Sequence, residues 1–393
     1  MTLRETLRRS DPVLAGSAFL LSLLSLLLLS TGTEGRFTSE FFLRQLVSLG
    51  IAVLVFLLVM RTHYVLLRTL APAAYLALLG FLLIVLQSEA IRGAASWLAV
   101  GALRLQPSEL AKVVLVLVLA KVLSERRRER LDTRILLLTM VYVGIPVALV
   151  LAQPDVGTAA LLLFLWLGMV VIAGMNRRQA VVLLVLAVVA GGVFWGLFFH
   201  DYQKDRLRVF LRPGSDPLGA GYTVIQSVTA FGSGGLWGRG LGYGPQSRLK
   251  FLPEHHTDFI FARIGEELGL VGVIGVLTLY GVILFRMLRA AQRTSDHFGR
   301  ALGVGAFLTL LVGVLVNAGM NIGLLPVTGV PLPLVSYGGS SLVTTFLLIG
   351  LVESVLIHGE TWETGDEEEP GLDVTAERLW ARKEGARPSL FAG

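Results

Sequence analysis

The stretch 158–175, TAALLLFLWLGMVVIAGM, decides the fold class of this chain. It contains no charged residue, and as a helix it is nearly long enough to cross about 30 Å of hydrocarbon. Nine further apolar stretches resemble it. We therefore predict an all-α polytopic membrane protein with ten transmembrane helices, at about 13–29, 42–60, 65–86, 108–123, 135–152, 158–175, 180–199, 268–287, 302–318 and 342–357.

The composition supports a membrane protein over a soluble one. Of the 393 residues, 54% are hydrophobic and only 16% are charged, and the mean hydropathy is +0.72. The chain has no cysteine, which excludes disulfides, cysteine nucleophiles and thiolate metal sites. The net charge of +6 comes mainly from short basic connections. It therefore indicates contact with anionic lipid headgroups and no binding of nucleic acid.

The distribution of lysine and arginine predicts the orientation, because short cytoplasmic loops are enriched in both. Counted from the N-terminus, alternate connections are basic, so we expect both termini to be cytoplasmic. The connection at 200–267 between the seventh and eighth helices is then a large extracytoplasmic loop. The basic residues are Arg4, Arg8, Arg9, Arg61, Arg68, Lys121, Arg126, Arg127, Arg128, Arg130, Arg134, Arg177, Arg178, Arg286, Arg289, Arg293 and Arg300.

Two parts of unequal length are expected. Residues 1–359 form the membrane domain, and residues 360–393 form a cytoplasmic tail, acidic at first and then basic, whose composition predicts disorder. Glu353, near the inner end of the last helix, is expected to snorkel towards water.

Three outer connections, 87–107, 200–267 and 320–340, are rich in glycine and proline. Non-helical backbone at membrane depth is tolerated where protein buries it or where it lines a wet cavity. We therefore predict an outward-facing cavity. Within the long loop, 221–231 (GYTVIQSVTAF) has the spacing of an amphipathic helix.

Charged residues are concentrated in 249–269, LKFLPEHHTDFIFARIGEELG. Two interpretations of Asp258 stand side by side. It is either a general base, which a partly desolvated carboxylate suits, or, with Thr257, an N-cap of the following helix. A metal site of Glu254, His255, His256 and Asp258 is disfavoured, because adjacent histidines point in different directions.

Glu109 and Lys112 lie three residues apart just after Pro107, a residue favoured at helix starts. That spacing puts them on one face of the fourth helix. An intramembrane ionisable pair suggests function, and the alternative is a buried salt bridge that fixes helix packing. The long loop also carries cations that suit a lipid diphosphate: Lys204, Arg206, Arg208, Arg212, Arg239, Arg248 and Lys250.

Five stretches in one order carry a resemblance to a known family. They are GAASWLAVGALRLQPSELAK (93–112), QPDVGTA (153–159), DPLGAGYTVIQSVTAFGSGG (216–235), 249–269 and NIGLLPVTGVPLPLVSYGGSS (321–341). The chain resembles the SEDS family (RodA, FtsW and SpoVE) of bacterial peptidoglycan polymerases. Ser96 before Trp97, GPQSRLKFLPE and VTGVPLPLVSYGG make it more similar to RodA, the elongation member.

The resemblance implies a glycosyltransferase of the bacterial cytoplasmic membrane that polymerises lipid II into glycan strands at the outer face. It places the family's essential aspartate on Asp258, as general base. The expected substrate-binding residues are Arg104, Glu109, Lys112 and Trp97 by resemblance, together with Arg206, Gln226, Glu254 and His256 of the long loop.

The resemblance also implies a class B penicillin-binding protein as partner, with lipid II, undecaprenyl diphosphate and membrane lipids as small partners. No protein-bound metal is expected, although a loosely bound divalent cation, Mg²⁺ or Mn²⁺, could stabilise the diphosphate. Two other functions stay open. One is a lipid II flippase, and the other is a non-catalytic activator of the penicillin-binding protein.

Overall fold

The computed structural model describes residues 8–31, 40–87, 98–100, 103–125, 131–197, 204, 208–212, 214, 216–217, 219–249 and 251–359. The predicted tail at 360–393 lies outside the described residues. In chain order the elements are α1 (Pro12–Ser30), α2 (Glu40–Arg61), α3 (Tyr64–Leu86), β1 (Leu98–Val100), β2 (Leu103–Leu105), α4 (Pro107–Ser124), α5 (Thr133–Ala152), α6 (Val156–Ile172), α7 (Arg177–Leu197), α8 (Ala220–Ser233), α9 (Pro245–Arg248), α10 (Ile260–Arg293), α11 (His297–Asn321) and α12 (Gly339–His358).

The protein is a helical integral membrane protein. Within the described residues, seven helices are long and apolar enough to cross a membrane, namely α1, α2, α3, α5, α10, α11 and α12, and α6 is a shorter apolar helix. Sequence analysis predicted no strand, but β1 and β2 form a small antiparallel hairpin in which Ala99 is opposite Arg104. A three-residue strand is too short to produce a periodic pattern that sequence reading detects.

Helix α12 lies at the centre of the bundle and packs most extensively against α2, while α10 packs against α11 and α4 against α3 and α11. Phe346 of α12 meets Phe56 and Phe19 edge to face, with ring centroids 6.2 and 6.3 Å apart. Leucines such as Leu76 on α3 are largely exposed. Apolar side chains thus fill the interior and also cover the surface that would face lipid.

Helix α10 bends at Gly269, near its N-terminal end. Gly269 has φ 67° and ψ −166°, a backbone conformation that is essentially restricted to glycine. The amides of Leu270 and Val271 donate to the carbonyls of Gly235 (2.9 Å) and Leu236 (3.1 Å). A Cβ on Gly269 would lie 2.3 Å from the Gly238 nitrogen. The hydrogen bonds at the bend therefore join the N-terminal part of α10 to the loop after α8.

We predict that Gly269→Ala lowers the free energy of unfolding by about 1–3 kcal/mol, because alanine disfavours this conformation and collides with backbone. Gly281→Ala on the same helix is the matched control, since nothing lies within 4 Å of a Cβ at that position, and it should be neutral or stabilise by roughly 0.5–1 kcal/mol. Thermal unfolding in detergent compares the two. Equal melting temperatures would contradict the requirement for glycine at 269.

Charged residues connect α1, α10 and α12 at the end of the bundle where α1 begins and α12 ends. Glu353 is fully buried, and its Oε2 accepts a hydrogen bond of 2.9 Å from the backbone nitrogen of Asp11. Arg286 of α10 pairs with the Asp11 side chain, which caps α1. The expectation that Glu353 snorkels is therefore wrong, because its side chain stays inside the bundle, where Oε2 accepts the amide at the start of α1.

Candidate active site

The Glu109–Lys112 pair lies in the first turns of α4. The exposed fractions of the two residues are 3% and 7%, and Lys112 Nζ is 2.6 Å from Glu109 Oε2. Pro107 starts the helix, so the three-residue spacing places both side chains on one face, as predicted. The pair is buried in the bundle, where charges are costly unless they are paired.

Asp155 adds a second carboxylate to this cluster. It caps α6 by accepting a hydrogen bond from the Thr158 nitrogen (3.0 Å), and its other oxygen lies 3.4 Å from Gln106 Nε2 and from Ser108 Oγ. The residue is half-buried, but protein encloses its carboxyl group. This desolvation is the main cause that raises the pKa of Asp155, and the charge of Glu109 adds to it.

Asp155 lies in the QPDVGTA motif, for which the sequence predicted no role of this residue. The sequence did contain an indication of function. Asp155 lies between the apolar stretches 135–152 and 158–175, where an acidic residue is costly and is usually functional.

Asp258 lies in the loop just before α10 and does not cap that helix. The N-cap is Phe259, and no side chain caps the helix end, so the capping interpretation is wrong. Asp258 is half-buried, and its carboxylate oxygen lies 3.7 Å from the position of a Cβ on Gly329. Its backbone carbonyl accepts hydrogen bonds from Asn317 (3.0 Å) and Asn321 (2.9 Å).

The loop at 327–333 connects Asp258 to the buried charges. Gly329 lies against the Asp258 carboxylate, and the neighbouring Thr328 carbonyl oxygen is 2.2 Å from the position of a Cβ on Gly157, in the first turn of α6. Val330 of the same loop and Lys112 line one small cavity. The structure thus brings Asp258 and the Glu109–Lys112–Asp155 cluster to a common loop.

Glu254 and His256 help to shape the loop that carries Asp258. Glu254 has a positive φ of 48°, and its Oε2 lies 3.3 Å from Thr257 Oγ1 and 3.9 Å from His256 Nε2. The His256 ring packs against Phe41 with a centroid distance of 4.7 Å. Its carbonyl accepts a hydrogen bond of 2.8 Å from the Tyr337 nitrogen.

His255 is half-buried in the same loop, and desolvation is the main cause that lowers its pKa from 6.5 to about 4, with Arg263 and His256 contributing. The unfolded chain therefore binds a proton at a higher pH than the folded chain. The contribution of His255 to the free energy of unfolding is therefore most favourable above pH 6.5, and it is lost as the pH falls towards 4. We expect His255→Gln to reduce the dependence of melting temperature on pH in this window. An unchanged dependence would contradict a neutral buried His255.

The other acids of 249–269, Glu266 and Glu267, accept hydrogen bonds from backbone amides, from the Ser247 hydroxyl and from Arg263. Arg263 Nε bonds Glu267 Oε1 at 2.7 Å, and Arg263 Nη2 donates to the Leu28 carbonyl at 2.7 Å. Glu266 accepts hydrogen bonds from the backbone nitrogens of Gln246 (2.7 Å) and Ser247 (3.1 Å). These residues attach the loop that contains α9 to helix α10. This structural role accounts for the charged side chains without a catalytic role.

The remaining predicted residues are spread around this region. Gln226 lies on α8, the helix predicted at 221–231, next to Ser227, whose hydroxyl donates to the Asn321 carbonyl at 2.8 Å. Arg104 lies on β2, just before α4. Trp97 and Arg206 lie outside the described residues. Among the residues that the structure describes, no group of three or more histidine, aspartate or glutamate side chains is placed to hold a metal.

Comparison with known proteins gives a consistent result. The family model described as cell cycle protein (FtsW, RodA and SpoVE) matches residues 11–361. The chain is 44% identical over 291 residues to the peptidoglycan glycosyltransferase MrdB of Escherichia coli K12, which covers 73% of this chain and 78% of MrdB. It is 36% identical over 359 residues to stage V sporulation protein E of Bacillus subtilis, covering 86% and 96% of the two chains.

Solved structures agree with these relatives. The fold is similar to a chain from a structure concerned with polymerization and crosslinking by a peptidoglycan synthase complex, with a TM-score of 0.75, 34% identity, and coverage of 89% of this chain and 97% of that chain. It is also similar to the rod shape determining protein RodA of Thermus thermophilus, with a TM-score of 0.65, 31% identity, and coverage of 89% and 96%. The chain belongs to the FtsW/RodA/SpoVE family.

Proposed function

We propose that this chain is a peptidoglycan glycosyltransferase that polymerises lipid II at the outer face of the cytoplasmic membrane during cell elongation, with Asp258 as general base. The observation that carries the proposal is the position of the Asp258 carboxylate. It lies against the 327–333 loop, which also borders the buried Lys112 cavity. The chain is an enzyme of the same family as MrdB, which is named a peptidoglycan glycosyltransferase.

In the proposed reaction, Asp258 accepts the proton of the GlcNAc 4-hydroxyl of one lipid II. The hydroxyl oxygen forms a bond to the MurNAc anomeric carbon of the growing chain. The bond from that carbon to the diphosphate oxygen breaks, and undecaprenyl diphosphate leaves with the electron pair. We favour direct displacement with inversion, because the described residues offer no obvious covalent nucleophile near Asp258.

The diphosphate leaving group needs positive charge more than a proton. Lys112 lies in the cavity and is the described cation that suits this role, and Arg104 is proposed to join it. Asp155 and Glu109 would hold Lys112 in place through their charges. Trp97, Arg206, Gln226, Glu254 and His256 complete the proposed substrate-binding set.

A resident metal does not fit the described site, because the Glu109 carboxylate is paired with Lys112 at 2.6 Å and, among the described residues, no group of three or more histidine, aspartate or glutamate side chains is placed to hold a metal. We therefore derive no step through a protein-bound metal. That a divalent cation bound to the substrate diphosphate helps to stabilise it stays a prediction.

The topology is part of the proposal. We infer ten spans, with α4, α6 and α7 added to the seven long apolar helices. Both termini are then cytoplasmic, and the connection at 200–267 lies outside the membrane. The support is that the basic residues alternate between connections as this orientation requires.

We also propose a class B penicillin-binding protein as partner. The support is the similarity to a chain from a peptidoglycan synthase complex.

The rival functions differ in whether this chain makes the glycosidic bond. We expect the purified chain, reconstituted with lipid II and a penicillin-binding protein whose own active site is inactivated, to produce glycan strands. A scaffold that only activates its partner would produce none under any conditions, and that result would contradict the proposal. A flippase would move lipid II across vesicles without consuming it.

A further inference from the structure

We propose that Asn317 and Asn321 are positioning residues that fix the main chain of Asp258 and thereby aim its carboxylate. Both asparagines lie on α11, one helical turn apart, and both are fully buried. The inference rests on the proposed function, because it concerns the base of that reaction.

The two amides converge on a single carbonyl. Nδ2 of Asn317 and Nδ2 of Asn321 donate to the Asp258 carbonyl oxygen at 3.0 and 2.9 Å. These bonds join α11 to a residue 59 and 63 positions away in the chain. The backbone of Asp258 is thus bonded to one rigid helix from two points.

Each asparagine also bonds an element next to Asp258. Asn317 Nδ2 donates to the Val330 carbonyl at 2.8 Å, in the loop that lies against the Asp258 carboxylate. Asn321 Oδ1 accepts the Ala262 nitrogen at 2.9 Å, in the first turn of α10. The main chain is therefore held before and after the point where α10 begins, and the freedom left to Asp258 is in its side-chain torsions.

The chemistry of the pair explains why asparagine is used. A buried amide costs roughly 1–3 kcal/mol unless hydrogen bonds satisfy it, and α11 is otherwise apolar enough to span a membrane. Asn321 Nδ2 also donates to the main-chain carbonyl of Asn317 (2.9 Å) and to its side-chain oxygen Oδ1 (3.3 Å), so the two side chains are hydrogen-bonded to each other. Helix packing alone would not require both amides to reach the carbonyl of one loop residue.

The test compares Asn317→Asp and Asn321→Asp with a matched control, Gln179→Glu. Asn321→Asp keeps the oxygen that accepts the Ala262 nitrogen and removes the donors to Asp258. Gln179→Glu keeps the oxygen that accepts the Asn176 nitrogen and removes a buried amide donor to the Leu131 carbonyl, 3.0 Å away. The control therefore removes the same kind of bond at a place that the proposed reaction does not use.

The measurements are kcat and KM for polymerisation of lipid II and the melting temperature of each full-length variant. We expect kcat to fall roughly 10- to 100-fold for both asparagine variants, because a misplaced base costs this much, with KM within about twofold of the native value. The loss for Asn321→Asp should deepen as pH rises, since its own carboxyl can donate only while protonated. Gln179→Glu should keep native kcat at equal melting temperature.

Three results would overturn the positioning role: a native kcat, a rise in KM alone, or a fall in kcat that Gln179→Glu matches at the same loss of melting temperature. If the aspartate variants do not accumulate as folded protein, Asn317→Ser and Asn321→Ser, which keep one donor each, are judged by the same criteria.

Asp258→Asn is measured in parallel to separate this inference from the proposed function. If Asp258→Asn is inactive and the asparagine variants are native, only the positioning role is wrong. If Asp258→Asn polymerises normally, the base assignment fails and the positioning role fails with it.

Discussion

Polymerisation of lipid II is expected to fall at least about 100-fold when Asp258 is replaced by asparagine, the range that loss of a general base produces. The asparagine side chain has nearly the same shape, so the loop around it and the hydrogen bonds to its carbonyl should persist. Binding of lipid II should stay close to native, because the carboxylate acts on a proton in the transition state. Glycan formation by the reconstituted protein and a lipid II binding assay give the two readouts.

Glu254→Gln is the comparison for Asp258→Asn, because Glu254 is in the same loop and its carboxylate bonds locally to Thr257. As a member of the proposed substrate-binding set, Glu254 should affect KM more than kcat when it is changed to glutamine. A flippase predicts that Asp258→Asn alters lipid II transport with no glycan made by either protein. Normal polymerisation by Asp258→Asn would show that another group takes the proton.

Replacing Lys112 by methionine is the second change with a large expected effect. It removes the cation 2.6 Å from Glu109 and leaves that carboxylate buried near Asp155. Loss of one partner from a buried pair typically costs about 3–5 kcal/mol, since the remaining charge is uncompensated. We expect a clearly lower melting temperature together with loss of polymerisation.

The double variant Glu109→Gln with Lys112→Met separates stability from catalysis. Without either charge, most of the melting temperature should return, because no unpaired charge stays buried in the pair. Polymerisation should stay low, since the cation proposed to stabilise the diphosphate is gone. If the double variant recovers both stability and activity, the pair only fixes helix packing, which was the alternative that the sequence left open.

Local patterns explain what could be predicted from the sequence. Apolar runs long enough to span the membrane predicted helices such as α1, α5 and α12, because length and hydropathy are properties of one segment. The three-residue spacing after Pro107 predicted the Glu109–Lys112 pair. The amphipathic spacing at 221–231 predicted α8.

Contacts between distant segments explain what could not be predicted. The burial of Glu353 depends on Asp11, which is 342 positions away, so its sequence position near a helix end was misleading. The bonds from Asn317 and Asn321 to Asp258, and the approach of Gly157 to Thr328, likewise depend on how helices pack. The role of Glu266 and Glu267 in holding the α9 loop was hidden for the same reason.

The structure also changes how the charged stretch at 249–269 is understood. Arg263, Glu266 and Glu267 have partners that account for them. Asp258 does not cap α10, and its carboxylate lies against the 327–333 loop. The stretch therefore combines a structural network with a single residue that suits catalysis.

The pH–rate profile of glycan formation by the native chain and by Asp258→Asn, each saturated with lipid II, tests the central claim most directly. A general base must be ionised, so we predict that the native rate falls about tenfold per pH unit below the pKa of the base. The residual rate of Asp258→Asn should lack this acid limb. An identical acid limb in both proteins would contradict the assignment of Asp258 as the base.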